Sequence, residues 1–257
     1  MTPHQPRKRF GQHFLTDHTV LKNIVNTLQL QNKDRVIEIG PGLGALTDYL
    51  LPALCHLDVV ELDRDLITQL HQKYDSKRVT IHAADALNFA YATLGTDLRI
   101  VGNLPYNIST PLLFKLFSEA HAIRDMHFML QKEVVLRLTA AVGSNDYGRL
   151  SVMSQYFCDN HYLFTVPANA FDPPPKVESA VVRLVPKKQL PLSSTAFTSF
   201  ECVVKEAFSY RRKTIANSLK RLIDSHTLQS LNINPQNRPQ NLSVEEFIRI
   251  GNAISVT

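Results

Sequence analysis

The sequence of 257 residues predicts an α/β fold, a Rossmann-like doubly wound sheet followed by a small all-helical C-terminal domain. Short apolar runs bounded by turn residues alternate with segments of helical spacing, which is the pattern of a parallel sheet covered by helices. A glycine-rich turn at 40–44 (GPGLG) connects the first such run to the first such helix. Beyond 186–191, which contains two prolines and two lysines, the strand signals stop. We therefore predict one domain over residues 1–186 and a second over residues 187–257.

The individual elements follow from local patterns along the chain. Buried strands are predicted where short runs rich in Val, Ile and Leu end at turn residues. These runs are 36–39, 57–62, 79–82, 98–101, 126–130, 162–166 and 179–185. Helices are predicted where apolar residues recur every three or four positions, as Leu46, Leu50 and Leu54 do. These segments are 45–54, 66–74, a helix from 132, 148–158 (with a strand as the alternative), 197–207, 213–224 and 244–253, the last with the capping-box pair Ser243 and Glu246 at its start.

The composition excludes several classes of protein. Hydrophobic residues make up 44% of the chain and charged residues 20%, which excludes disordered, collagen-like and coiled-coil chains. No apolar stretch approaches the roughly 20 residues of a membrane span, and no apolar segment follows the basic N-terminus as it would in a secretory signal. The three cysteines, Cys55, Cys158 and Cys202, are too scattered for a disulfide framework or a zinc site. We therefore predict a cytoplasmic protein that does not contact a membrane.

The net charge of +5 is unevenly distributed along the chain. Residues 1–182 contain 17 basic and 18 acidic side chains, whereas residues 183–257 contain 11 and 5. A basic face is predicted on the helix that begins near residue 213, and a second basic cluster lies near the N-terminus. The candidate phosphate-binding residues are Arg7, Lys8, Arg9, Arg211, Arg212 and Lys213. Basic patches beside a neutral body are typical of nucleic-acid binding, and an ordinary solvated surface is the alternative.

Carboxylates follow the first strands of the predicted sheet. Glu61 ends the second strand, 21 positions after Gly40, where a carboxylate can accept hydrogen bonds from a ribose diol. Asp85 follows the third strand, where an acidic side chain can reach an adenine edge. The turn also satisfies a dinucleotide fingerprint, so a nicotinamide dehydrogenase is an alternative. Glu38, however, lies just before the turn, where it would repel a pyrophosphate and would suit the cationic ligand S-adenosylmethionine.

The tetrapeptide Asn103-Leu104-Pro105-Tyr106 follows the fourth strand and indicates the chemistry. The amino nitrogen of adenine or cytosine is a poor nucleophile because its lone pair is delocalised into the ring. The side-chain oxygen of Asn103 and a backbone carbonyl of Leu104 or Pro105 can accept its two hydrogens, and Tyr106 offers a ring for stacking. Positioning and electrostatic stabilisation would then accelerate the attack of this amino nitrogen without a metal. A turn around a buried tyrosine is the alternative.

A second aromatic residue, Phe171, lies just before the prolines at 173–175. Consecutive prolines hold an extended geometry, so Phe171 is predicted to form the other side of a base sandwich, with an ordinary core position as the alternative. Enzymes that modify a base take it out of the stack, and an aromatic pair can hold it there. The ten histidines show no metal-ligand spacing, so we predict no metal.

Together these motifs resemble those of the rRNA adenine N6-dimethyltransferases, in particular the members that modify small-subunit rRNA. The resemblance covers nearly the whole chain and is carried by 8–15 (KRFGQHFL), 38–44 (EIGPGLG), 103–106 (NLPY), 131–134 (QKEV), 147–152 (YGRLSV), 171–179 (FDPPPKVES) and 208–213 (FSYRRK). It implies a set of cofactor-binding residues, Gln12, His13, Leu15, Gly40, Glu61, Asp85 and Asn103. The family often has Asn at position 13 and Gly at position 84, where this chain has His13 and Ala84.

The resemblance also implies a function. The chain would transfer methyl groups from S-adenosylmethionine to N6 of two adjacent adenosines near the 3′ end of 16S rRNA, leaving S-adenosylhomocysteine. Its partner would be the rRNA of an immature 30S subunit, its helical domain would contact that rRNA, and it would act as a monomer. Two alternatives share these motifs: an adenine methyltransferase of large-subunit rRNA, and a ribosome-assembly factor whose main task is binding.

Overall fold

A computed structural model of the chain describes residues 13–210 and 212–255. These residues form two compact units. The first unit comprises the chain up to Val135 together with His161–Pro186, and the second comprises Leu136–Asn160 together with the chain from Lys187 onward. No helix in the described part of the chain is long and apolar enough to cross a membrane.

Strands and helices alternate through most of the first unit and give way to helices after it. From the N-terminus to the end of the sheet they are β1 (Phe14–Leu15), α1 (His18–Leu28), β2 (Arg35–Ile39), α2 (Ala45–Leu50), β3 (Leu57–Glu61), α3 (Arg64–Lys73), β4 (Val79–Ala83), β5 (Leu98–Asn103), α4 (Ser109–Ser118), β6 (Ile123–Gln131), α5 (Lys132–Leu138), α6 (Arg149–Phe157), β7 (Cys158–Val166), β8 (Phe171–Asp172) and β9 (Ser179–Pro186). The remaining helices are α7 (Ser194–Ala207), α8 (Ile215–Leu219), α9 (Ser225–Ser230) and α10 (Val244–Ser255).

Seven strands form one sheet in the order β4-β3-β2-β5-β6-β9-β7. The pairs from β4 to β6 are parallel, and β9 runs antiparallel to β6. Strand order reverses at β2, which lies between β3 and β5. In such a sheet ligands bind beyond the carboxyl ends of the strands at this reversal. The predicted α/β fold is confirmed, and the reversal gives the expected place for its site.

A second, two-stranded sheet joins two distant parts of the sequence. β1 pairs antiparallel with β8, so that Phe14 lies opposite Asp172 and Leu15 opposite Phe171. The amide of Thr16 extends the pairing by donating to the carbonyl oxygen of Ala170 at 2.9 Å. The N-terminal segment and the proline-rich segment are thus held side by side, which only the folded chain reveals.

Helices α1 and α4 lie outside the predicted elements. The carboxylate of Asp17 caps α1 by accepting hydrogen bonds from the amides of Thr19 and Val20. Four residues of one α1 face are buried in the hydrophobic core of the first unit: Val20, Leu21, Ile24 and Leu28. In α4 both the apolar spacing and Pro111 in the first turn are compatible with a helix start. These local start signals are too weak to predict either helix alone. The buried apolar face that each helix presents identifies it in the structure.

Two predicted helices end earlier than their apolar spacing indicates. α2 ends at Leu50 and continues as a short 3₁₀ turn that contains Pro52, because proline cannot donate the backbone hydrogen bond of a continuing helix. The prediction of one helix over 213–224 is wrong: α8 covers only Ile215–Leu219. Asp224 then starts α9 by accepting from the amide of Thr227. Arg212 and Lys213 therefore precede a short helix rather than forming part of a helical face.

The second unit is built around aromatic packing between α6 and α7. The ring centroid of Tyr156 lies 4.8 Å from that of Phe200, and the centroid of Phe157 lies 5.4 Å from that of Phe197. Residues 136–160 belong to the second unit, although the sequence predicts them in the first domain. The predicted capping box of α10 is confirmed, since the side chains of Ser243 and Glu246 each accept the other's backbone amide.

Candidate active site

A cavity of about 330 Å³ lies in the first unit, beyond the carboxyl ends of the strands. Gly40 follows β2, Glu61 ends β3, Asp85 follows β4 and Asn103 ends β5. Parallel strands bring these four positions to one edge of the sheet although they span more than sixty residues of sequence. The cavity lining includes His13, Leu15, Glu38, Gly40, Gly42, Glu61, Leu62, Asp85, Asn103, Leu104, Pro105 and Tyr106.

The glycine-rich turn forms one wall of the cavity. Gly40, Gly42 and Gly44 all have positive φ, at 67°, 58° and 80°, a backbone region that residues with a Cβ atom rarely adopt. The amide of Gly40 donates to the carbonyl oxygen of Val60 at 2.9 Å, which ties the turn to β3. Three glycines are needed here because the chain reverses sharply and leaves its backbone open to a ligand.

The Glu38 carboxyl group lies buried between the sheet and α2, with 2% of the residue exposed. The hydroxyl of Thr47 donates to its Oε2 at 2.6 Å. Burial raises the pKa of Glu38 to about 8, and the Thr47 hydrogen bond opposes this rise only in part. A buried acid at the cavity wall is therefore ready to ionise when a cationic ligand binds beside it.

The carboxylates of Glu61 and Asp85 occupy the next two strand ends. Oε1 of Glu61 accepts hydrogen bonds from the amides of Leu62 and Asp63 at 2.8 and 2.9 Å, while Oε2 lies 3.4 Å from the amide of Gly42. Burial raises the pKa of Glu61, against the lowering effect of these amides. Asp85 is half-buried and accepts from the amide of Leu87 at 2.9 Å. These contacts fix both carboxylates at the cavity, and among residues 13–210 and 212–255 the partner of Glu61 Oε2 is the distant amide of Gly42.

Asn103 is oriented by the backbone of the N-terminal segment. Its side-chain Nδ2 donates to the carbonyl oxygen of His13 at 3.1 Å. Since Nδ2 is engaged in this way, the side-chain oxygen is directed elsewhere and is chemically able to accept a hydrogen bond. The carbonyl oxygen of Pro105 already accepts from the amide of Ile108 at 3.2 Å, which favours the carbonyl of Leu104 as the second acceptor for an amino group.

The ring of Tyr106 is held from two sides. Its hydroxyl lies 2.8 Å from the hydroxyl of Ser179, at the start of β9, and burial raises the pKa of Tyr106. The imidazole of His13 stacks on the ring with centroids 5.9 Å apart and planes inclined by 27°. Nδ1 of His13 donates to the carbonyl oxygen of Pro173 at 2.8 Å. The Tyr106 ring beside Asn103 is thus held in position by Ser179 and His13, as a surface for stacking requires.

Comparison with known proteins agrees with this geometry. The family model described as ribosomal RNA adenine dimethylase matches residues 3–255. The chain belongs to the ribosomal RNA adenine dimethylase family. It is 59% identical over 252 residues to the ribosomal RNA small subunit methyltransferase A of Coxiella burnetii, covering 97% of this chain and 98% of the relative. The protein of the same name from Alcanivorax borkumensis is 51% identical, with 98% and 91% covered. The predicted family is therefore confirmed.

Solved structures of dimethylases and related methyltransferases share the fold. A dimethyladenosine transferase from Plasmodium falciparum superposes with a TM-score of 0.79 at 27% identity, covering 93% of this chain and 96% of that one. The 23S rRNA methyltransferase ErmE superposes with a TM-score of 0.75 at 25% identity, covering 94% and 99%. The Rossmann-like methyltransferase fold with a helical C-terminal part is thus confirmed for this dimethylase.

The cavity of the dimethylase gathers most of the predicted site residues but not all of them. Phe171 does not line it: the residue is 4% exposed and packs in the core of the first unit with Leu15 and Val181. Phe171 pairs with Leu15 in the two-stranded sheet, and both residues are buried. The ring that stacks on Tyr106 in this structure is that of His13.

The predicted RNA-binding residues divide into two groups. Arg212 and Lys213 are described and exposed, in the turn before α8 of the second unit. Five other predicted site residues lie outside the described residues: Arg7, Lys8, Arg9, Gln12 and Arg211. Within residues 13–210 and 212–255, no three His, Cys, Asp or Glu side chains are grouped so as to hold a metal ion.

Three contributors to the dimethylase site are absent from the sequence-based set. Leu62 lines the cavity with 52% of its surface exposed, and its only signal is its place directly after Glu61. Thr47 and Ser179 are buried hydroxyls that bind Glu38 and Tyr106. A threonine on the inner face of the helix after the turn was the available signal for Thr47, whereas the partner of Ser179 is 73 positions away and only the fold reveals it.

The glycine-rich turn is also supported from outside the cavity. The hydroxyl of Tyr74 lies 2.7 Å from Oδ1 of Asp48 and 3.0 Å from the carbonyl oxygen of Gly44. Nζ of Lys73 donates to Oδ2 of Asp48 at 2.7 Å and to the carbonyl of Leu43 at 3.2 Å. Two residues at the end of α3 thus hold the carbonyl groups of the turn, so that its amides keep their direction.

Proposed function

We propose that this chain transfers methyl groups from S-adenosylmethionine to N6 of two adjacent adenosines near the 3′ end of 16S rRNA. The substrate is an immature small ribosomal subunit, and the modification contributes to ribosome biogenesis. Membership of the adenine dimethylase family supports the reaction, and the names of the relatives at 51–59% identity support the subunit. Ribosomal subunits assemble in the cytoplasm, so the enzyme acts there.

The orientation of Asn103 carries this proposal. With Nδ2 bound to the carbonyl of His13, Oδ1 accepts one hydrogen of the adenine amino group, and the carbonyl of Leu104 accepts the other. Two acceptors in line with both N–H bonds draw the nitrogen lone pair out of conjugation and toward the methyl donor. In the second transfer the monomethyl amine keeps one hydrogen, so one acceptor suffices while the first methyl group takes the remaining space.

Tyr106 provides the surface on which the target base is proposed to stack. A base taken out of its helix loses its stacking partners, and an aromatic ring replaces part of that stabilisation without reading the sequence. Ser179 fixes the Tyr106 ring through its hydroxyl. Phe171 is buried in this structure, so we propose its role as the second ring only for the RNA-bound enzyme.

The cavity supports S-adenosylmethionine as the methyl donor. Glu38 and Glu61 are buried carboxyl groups whose ionised forms a cationic ligand would stabilise. When bound, the cofactor supplies an electrophilic methyl group on sulfur and leaves as S-adenosylhomocysteine. The glycine turn at Gly40, the carboxylates of Glu61 and Asp85, and the segment from His13 to Leu15 are proposed to hold it, with Gln12 as a further contact.

We further propose that residues 187–257 dock onto rRNA while residues 1–186 carry the chemistry, and that the enzyme works as a monomer. Arg212 and Lys213 are exposed, so that their charges are available to phosphate groups. Arg211 and the N-terminal cluster Arg7, Lys8 and Arg9 are proposed to add to this contact. Phosphate contacts would orient the subunit and leave the choice of base to the cavity.

Radiolabelled S-adenosylmethionine tests the proposal directly. Small subunits from a strain that lacks this modification, and naked large-subunit rRNA, are incubated separately with the enzyme. We expect label in the first sample at two adjacent adenosines and none in the second. Subunits that already carry the modification serve as the control and accept no label. Label in large-subunit rRNA alone would contradict this proposal and would indicate a large-subunit methyltransferase instead.

A further inference from the structure

The most exposed aromatic ring of the second unit has no role in its core. Tyr210 lies three residues beyond the end of α7 and is 49% exposed. Phe208, two positions earlier, points inward: its centroid lies 5.7 Å from that of Phe247 and 6.4 Å from that of Tyr147. Phe208 therefore packs in the core, whereas the Tyr210 ring lies on the surface, where it is open to a stacking partner.

A lysine holds the exposed ring in place. Nζ of Lys213 lies 4.2 Å from the centroid of the Tyr210 ring, within the range of a cation–π interaction. The amide of Lys213 donates to the carbonyl oxygen of Tyr210 at 3.1 Å, so that the two residues also share one turn of backbone. A ring restrained in this way loses less conformational freedom when a second flat group stacks on it.

The sequence on both sides of Tyr210 is rich in basic residues. The second unit contains 12 basic and 7 acidic residues. The basic side chains nearest to Tyr210 in the described sequence are exposed: Lys205, Arg212, Lys213, Lys220 and Arg221. An aromatic face among cations fits a partner that offers both flat bases and phosphates, which is the chemistry of an unpaired stretch of nucleic acid.

We propose that Tyr210 stacks on an unpaired base of the rRNA while Lys213 and Arg212 contact its neighbouring phosphates. This site lies in the second unit and is separate from the cavity that holds the target adenosine. The inference rests on the proposed function for the identity of the RNA. Stacking adds affinity that does not depend on salt, whereas the phosphate contacts of the same turn do depend on it.

Two substitutions separate stacking from charge. Tyr210→Phe keeps the ring, and Tyr210→Leu keeps an apolar side chain without one. We expect Tyr210→Phe to bind unmodified small subunits as the wild type does, and Tyr210→Leu to bind about 5- to 150-fold more weakly, the range of one base–aromatic stack. The slope of log affinity against log salt should be unchanged in Tyr210→Leu and reduced by about 0.7 to 0.9 in Arg212→Ala.

The chain contains no tryptophan, so Tyr210→Trp gives a reporter at this one position. Titration with unmodified small subunits, after subtraction of the signal obtained with wild-type enzyme, should quench its emission because the indole stacks on a base. A blue-shifted and brighter emission would mean an apolar protein pocket and would overturn the proposal, as would unchanged affinity in Tyr210→Leu. Label incorporation by the wild type in the same preparations tests the proposed function separately, so that either can fail alone.

Discussion

The two units of the molecule differ in their balance of basic and acidic residues and in how many of these residues they bury. The first unit contains 16 basic and 16 acidic residues and buries several of them, with Glu38 2% exposed and Arg99 5% exposed. The second unit contains 12 basic and 7 acidic residues and exposes most of its basic ones. A buried charge interacts strongly with a few fixed partners, whereas an exposed charge is screened by water and salt. Substitutions of the buried charges in the first unit should therefore have large, local effects, and those of the exposed charges in the second unit small, salt-dependent ones.

The largest expected effect is on folding, at the buried guanidinium of Arg99. It binds the carboxylates of Asp34 and Asp125, both at 2.8 Å, and the carbonyl of Leu28 at 2.6 Å. Arg99→Ala leaves buried carboxylates without this partner, so we expect the free energy of unfolding to fall by about 3–5 kcal/mol. Urea unfolding followed by circular dichroism measures it.

A matched variant in the second unit sharpens this comparison. Arg249 and Glu246 form an ion pair at 3.8 Å in which the Arg249 side chain is 43% exposed, and Nε of Arg249 donates to the carbonyl oxygen of Leu231 at 3.1 Å in an exposed position. Arg249→Ala should lower the free energy of unfolding by about 1 kcal/mol or less. Equal losses in Arg99→Ala and Arg249→Ala would contradict the contrast between the units.

The next effect concerns catalysis at Asn103. Asn103→Ala removes one of the two acceptors for the adenine amino group, so we expect kcat for methyl transfer to fall by about 100- to 1000-fold, as when one fixed hydrogen-bonding group is removed from another transition state. Single-turnover label transfer to unmodified small subunits measures this loss. Asn23→Ala, on the exposed face of α1, is the control and should keep full activity. A rate within a factor of three of wild type would exclude Asn103 as an acceptor.

A smaller effect appears in the pH dependence of stability. The pKa of Glu38 is about 8 in the folded protein and 4.5 in an unperturbed chain. Between these values the folded state holds a proton that the unfolded state has lost, so stability falls as pH rises through this window, by at most about 1.4 kcal/mol per pH unit. Glu38→Gln mimics the protonated carboxyl and should remove this part of the slope.

Unfolding in urea at about pH 5 and about pH 7.5 measures the difference in slope. Glu201→Gln, an exposed carboxylate of the second unit, is the control and should leave the slope as it is in the wild type. If Glu38→Gln also retains the wild-type slope, burial does not keep Glu38 protonated at neutral pH.

The smallest effect is expected at the exposed basic turn. Arg211→Ala combined with Arg212→Ala should weaken binding to small subunits several-fold at low salt and lower the salt slope by about 1.4 to 1.8, without changing kcat at saturating substrate. Filter binding across a salt series provides the measurement. Lys22→Ala, an exposed cation on α1 of the first unit, is the control. A loss of kcat as large as that of Asn103→Ala would contradict the proposal that the second unit binds rRNA and does not take part in the chemistry.

Local signals were enough for much of the fold. The strand from Val36 to Ile39 and the turn after it could be predicted because apolar runs and glycines act within a few residues. The capping pair Ser243 and Glu246 was equally local. The prediction of one helix over 213–224 was wrong because it relied on the spacing of basic and apolar residues and overlooked Asp224, which starts a separate helix. Helix α1 was missed although Asp17 caps it, since its apolar face becomes evident only against the core.

The sequence by itself determined the family, the α/β fold and the identity of the motifs, because each depends on residue types at short spacing. Only the tertiary structure decided how those motifs act together. The side chain of Asn103 is oriented by a hydrogen bond to the carbonyl of His13, ninety positions away. Phe171 is buried and pairs with Leu15. Residues 136–160 belong to the second unit. These outcomes depend on contacts between distant segments, whose energies a one-dimensional pattern does not contain.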